Sequence, residues 1–115
     1  MVATYLVPVQ VQTKNGAGEV VPIEPVAMQV TLGIEEAVEQ ESLDVAIWGS
    51  ADGTEWGKNP VAIFPQKFYH GLTSMVIDFS KTPEVRFVQI RWAMNRWGRG
   101  SLTPMFRFFV AWERV

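Results

Sequence analysis

The densest group of chemically capable side chains is Arg91-Trp92-Ala93-Met94-Asn95-Arg96-Trp97-Gly98-Arg99-Gly100, which gathers three arginines and two tryptophans. Planar guanidinium forks and flat indoles beside glycines suit sugar stacking, bidentate capture of carboxylates, or anchoring of a protein partner. Arg96, Trp97 and Arg99 are therefore the expected ligand contacts. Phe68 and Tyr69, from the second aromatic loop Phe64-Pro65-Gln66-Lys67-Phe68-Tyr69, are expected to help them. The same residues also admit a purely architectural reading. In it Trp92 is core, Trp97 caps one end of the domain, and Arg96 and Arg99 pair with Glu35, Glu36, Glu39 and Glu41.

Catalytic constellations are harder to assemble. His70 is the single histidine, in the loop Lys67-Phe68-Tyr69-His70-Gly71, and the chain has no cysteine. A catalytic histidine needs a nucleophile or carboxylate beside it, and a metal site usually needs further imidazole or thiolate ligands. Asp44, Asp52 and Asp78 show no spacing that pairs two of them for acid–base work. The expectation is a non-enzyme with no cofactor and no metal. A net charge of −2, with basic residues beyond the cluster limited on that side to Arg86 and Arg107, gives no footprint for nucleic acid. No apolar run approaches the ~20 residues of a membrane-spanning helix. Charged residues are 19% of the chain, below the usual ~25%, so some apolar surface is expected outside the core.

The elements that must position these residues read as strands. Tyr5, Val7, Val9 and Val11 alternate with Leu6, Pro8 and Gln10, and Pro8 assigns that strand to a sheet edge. Asn15-Gly16 predicts a hairpin turn, with Glu19 to Ile23 returning against the first strand. Val26, Met28, Val30, Leu32 and Ile34 form the cleanest alternation, opposed by small or polar Ala27, Gln29, Thr31 and Gly33. The acidic stretch from Glu35 to Glu41 reads as a solvated connection. Further strands are expected at Leu43–Trp48, Val61–Phe64, Leu72–Phe79, Val85–Trp92 and Met105–Trp112. Seven or eight short antiparallel strands without a long helix predict one all-β, jelly-roll-like sandwich over residues 1–115 with an N-terminal hairpin. The last two strands are apolar on both faces. That pattern points to a partner, and Phe106, Arg107 and Phe108 are the expected interface residues.

One turn is motif-like. The strand Leu43 to Trp48 runs into Ser50-Ala51-Asp52-Gly53-Thr54-Glu55-Trp56, where Asp52 can bond backbone two residues on, Gly53 accepts positive φ, and Trp56 can fold back over the corner. With Ile77-Asp78-Phe79, Val85-Arg86-Phe87-Val88-Gln89-Ile90 and a final strand from Phe106 to Trp112, this order resembles the discoidin, or coagulation factor 5/8 type C, family of galactose-binding-like jelly rolls. The resemblance implies a sandwich whose ligands are held by loops at one end. The resulting expectation is a recognition or assembly module for carbohydrate or a protein surface. The competing expectation is a structural subunit of a complex or filament, packing through its N-terminal hairpin and C-terminal strands. Both make an oligomer or a subunit of a larger complex the expected state.

Overall fold

The structure, a computed structural model, describes residues 4–37, 41–67, 70–96 and 105–115. Among the described residues nine strands follow in chain order: β1 (Thr4–Gln12), β2 (Gly16–Ala17), β3 (Val21–Pro22), β4 (Ala27–Ala37), β5 (Glu41–Ser50), β6 (Ala62–Ile63), β7 (Gly71–Asp78), β8 (Phe87–Arg96) and β9 (Phe106–Arg114). A 3-10 turn at Phe79–Lys81 follows β7, capped by the Asp78 carboxylate, which accepts from the Ser80 amide. One sheet has the order β1-β9-β4-β7; the other has β2-β8-β5-β6, with β3 also pairing β8. All pairings are antiparallel. The pair β4/β9 lies in one sheet and the pair β5/β8, nested between them in sequence, lies in the other, which is the wrap of a jelly roll. The expected all-β sandwich is the observed fold.

Alternation decides what fills the space between the sheets. Val30, Leu32 and Ile34 of β4, Leu43, Val45 and Ile47 of β5, Val88, Ile90, Trp92 and Met94 of β8, and Phe106, Phe108, Val110 and Trp112 of β9 are all buried. Trp92 meets Phe108 across the sandwich edge-to-face, with ring centroids 5.4 Å apart, so the two sheets touch through aromatic rings. Trp92 is thus core, as the architectural reading has it.

Three expectations change. The first is the interface: Phe106 and Phe108 are 0% exposed and point at the opposite sheet, leaving Arg107 on the outer face in an ion pair with Glu35 (3.2 Å). Period-2 alternation separates two faces of β9 but does not say which one faces inward. On the outer face Phe109 lies over Gly33, where an added Cβ would collide with the ring, and packs edge-on to Tyr5 at 5.7 Å. Glycine in the middle of β4 makes room for that ring.

The second is the N-terminal hairpin, which does not form. β1 is an edge strand, as Pro8 requires, but it pairs with β9, while β2 and β3 cross to the other sheet and pair with β8. The open side of β8 recruits the segment. The Trp92 indole donates to the Lys14 carbonyl (3.1 Å), the Met94 amide donates to Asn15 Oδ1 (2.7 Å), and the Gly18 amide donates to the Ile90 carbonyl (2.8 Å). Gly16 serves close approach here: a Cβ would fall 2.8 Å from Trp92 Cζ2. The third change is the acidic connection. Glu35 and Glu36 belong to β4, whose ladder with β9 is interrupted by a register shift between Ile34 and Glu36, and Glu41 already starts β5.

Candidate functional site

The strand β5 ends in the turn that the sequence marks. Ser50 Oγ accepts from the Asp52 and Gly53 amides (3.2 and 2.9 Å), and Asp52 Oδ1 accepts from the Thr54 and Glu55 amides, both at 2.9 Å. The Ser50 hydroxyl also donates to Asp52 Oδ1 (3.0 Å). Gly53 takes φ +84°, as expected, and the Phe87 ring covers it. Bonds from the Glu55 and Thr54 amides and the Ser50 hydroxyl favour the charged carboxylate, which holds Asp52 well below the ordinary carboxylate range. A depressed carboxylate stabilises the fold above its unfolded value and loses that contribution as pH falls toward its folded value. Asp52→Ala is expected to melt several degrees lower than the parent at neutral pH. The gap should narrow as pH drops below about 4, as thermal melts across a pH series would show.

The corner delivers Trp56 to the outer face of β8, where the indole meets Arg91 and does not cover the turn, a place taken by Phe87. The Arg91 guanidinium lies 4.5 Å from the Trp48 ring centroid and 5.5 Å from that of Trp56, so both indoles flank one cation. Arg91 Nε donates to Gln89 Oε1 (3.1 Å), and Gln89 Nε2 donates onward to the Gly18 carbonyl (3.0 Å). Two indole rings and the Gln89 side chain thus engage the Arg91 guanidinium from within the chain itself.

Beside this stack the outer face of the second sheet is hollow. Ala46 of β5 and Ala93 of β8 leave a floor without bulk, and Trp48, Arg91, Pro60, Ile63 and Asp44 stand around it, enclosing a shallow depression of about 490 Å³. Register explains the company: Ala46 is opposite Arg91 on one side and Ile63 on the other, and Asp44 is opposite Ala93. Ile63 is 63% exposed, a branched aliphatic side chain turned to solvent on a face that alternation would make polar. The wall that carries it is fastened to β5 by bonds from the Val61 amide to Ile47 O (2.7 Å) and from the Phe64 amide to Val45 O (2.9 Å). Asp44 accepts from Gln66 Nε2 (3.1 Å) at the rim.

Of the residues singled out from sequence, Arg96 ends β8, opposite Glu41 in the β5 register, and its side chain lies outside the described residues. Trp97, Arg99, Phe68 and Tyr69 also lie outside them. His70 is exposed just before β7, in a cleft with Gln66, Lys67 and Leu72. Sequence reasoning placed Arg91 in the cationic cluster and Trp56 at the corner but missed that they meet each other and Trp48. The available signal was parity: Trp48, Arg91 and Ala46 all fall on the strand positions opposite the buried set.

No protein-family model matches the chain, and no curated protein matches it. Among solved structures, it is similar over 96% of its length to a chain in the structure of infectious bursal disease virus Gx strain, at TM-score 0.61 and 10% identity. The chain spans 32% of that viral chain. It is also similar over 98% of its length to the K1 cleaved adhesin domain of Lys-gingipain from Porphyromonas gingivalis W83, at TM-score 0.45, 10% identity and 73% coverage of that chain. At this identity the viral likeness speaks to the fold alone, and that fold is the β-sandwich seen here.

Proposed function

We propose that the protein is a non-catalytic recognition module that binds a protein partner through the depression between Trp48, Arg91 and Ile63. The carrying observation is the exposed Ile63 facing an alanine floor and a pre-ordered Trp–Arg–Trp stack. Aromatic and arginine anchors around an apolar pocket are the residue types that dominate protein interfaces. A sugar would ask for several free polar groups, whereas Asp44 and Arg91 are already engaged with Gln66, Gln89 and the indoles. The fold likeness to a chain of a virus structure is in keeping with an assembly role.

A photo-crosslinking residue at position 63, with the same residue at exposed position 11 on β1 of the other sheet as control, tests this reading. One defined protein captured from position 63 and not from 11, and lost on Trp48→Ala, is the expected result. The carbohydrate reading through end loops, with Arg96, Trp97, Arg99, Phe68 and Tyr69 as contacts, predicts instead binding on a glycan array that Trp97→Ala abolishes. That outcome, with no protein captured at position 63, would overturn the protein-partner reading.

A further inference from the structure

The sheet edges differ in how they are guarded. Open edges template strand addition, and natural proteins blunt them with proline, charge, bulges or short length. β1 carries Pro8 and two register shifts against β9, and β6 is two residues long. β7 has none of these devices. Its eight residues Gly71–Asp78 pair with β4 in unbroken register, and among the described residues no strand pairs with its other side. It holds no proline and no charge before Asp78, and it exposes Leu72 (74%) and Val76 (61%) on the outer face.

We infer that the free edge of β7 binds β7 of a second copy of this chain, antiparallel about a two-fold axis at Ser74. The strand is self-complementary in that register. Leu72 of each copy falls opposite Val76 of the other, on the same outer face, so the most exposed aliphatic side chains of the sheet cover each other. Thr73 falls opposite Met75, and Gly71 opposite Ile77. At each end His70 meets Asp78, so no like charges oppose one another. Moving the axis to Met75 would set Leu72 against Asp78, and moving it to Thr73 would leave Ile77 and Asp78 beyond the described strand. The Ser74 register alone pairs His70 through Asp78 in full and joins the two sheets into one continuous sheet. This surface lies on the other side of the sandwich from the Trp48–Ile63 depression, so neither inference depends on the other.

The chain has no cysteine, which makes the axis directly testable. Ser74→Cys puts the introduced thiols on the two-fold, where paired antiparallel strands bring Cα atoms within the span a disulfide needs. Mild oxidation of Ser74→Cys is expected to give a covalent dimer in high yield, and Leu72→Cys, though highly exposed, to give little. Ser74→Lys, which would set two ammonium groups face to face, should leave the circular-dichroism spectrum unchanged and weaken self-association in sedimentation by about tenfold or more. Equal crosslinking at positions 72 and 74, or a parent protein that sediments as a monomer across the whole concentration range, would overturn the inference.

Discussion

Phe108→Asp is expected to leave no cooperatively folded protein, as opposed to a folded subunit released from an assembly. Phe108 is fully buried in β9 between Ile34 of β4 and the β1 edge, with its ring edge-on to Trp92 of the facing sheet. Truncating such a ring to alanine costs about 3–5 kcal/mol, and a carboxylate in its place adds an unpaired buried charge. Set against a total stability of about 5–15 kcal/mol, that loss removes most or all of the folded population. Circular dichroism and a thermal melt would show it directly, and Phe106→Asp should behave alike. A cooperatively melting Phe108→Asp monomer would return the residue to an interface.

Gly49→Val is expected to damage the fold and the candidate site together. A Cβ at Gly49 would lie 2.7 Å from Val61 Cγ2 and 2.8 Å from Val85 Cγ1. Both neighbours are β-branched and have few rotamers to retreat into. Overpacking of this kind costs about 2 kcal/mol, or roughly 8 °C in Tm for a domain this size. The strain falls on the Val61 segment, which is bonded to Ile47 and Val45 and carries Ile63 and Pro60. Lifting it displaces one wall of the depression. Partner binding should therefore weaken at temperatures where the variant is still folded, measured by titration beside a melting curve. Unchanged binding with a lowered Tm would detach the Val61 wall from recognition.

What was legible in the sequence was local. The Val30–Leu32–Ile34 alternation, the proline that sent β1 to an edge and the Ser50–Gly53 part of the turn each depend on residues a few positions apart, and each stands in the structure as read; the ring over Gly53 is that of Phe87, while Trp56 lies against Arg91. What was not legible depended on distant pairings. Asn15-Gly16 has the composition of a hairpin turn, yet its neighbours bond to β8, about eighty residues downstream, because that strand had an open side. Phe106 and Phe108 show the right period, but only the facing sheet settles which parity is buried. The Trp48–Arg91–Trp56 stack joins two strands and a loop far apart in sequence, and Ile63 sits in an apolar run, Val61 to Phe64, whose exposed member period alone does not identify.

The most direct test of the recognition surface is the equilibrium affinity of the crosslinked partner for two variants that each put a carboxylate on an exposed aliphatic position, Ile63→Asp and Val11→Asp. Burying an isoleucine side chain contributes about 2 kcal/mol, so Ile63→Asp should raise Kd roughly thirtyfold or more, with Val11→Asp binding as the parent does. Parent-like affinity in Ile63→Asp would contradict the account.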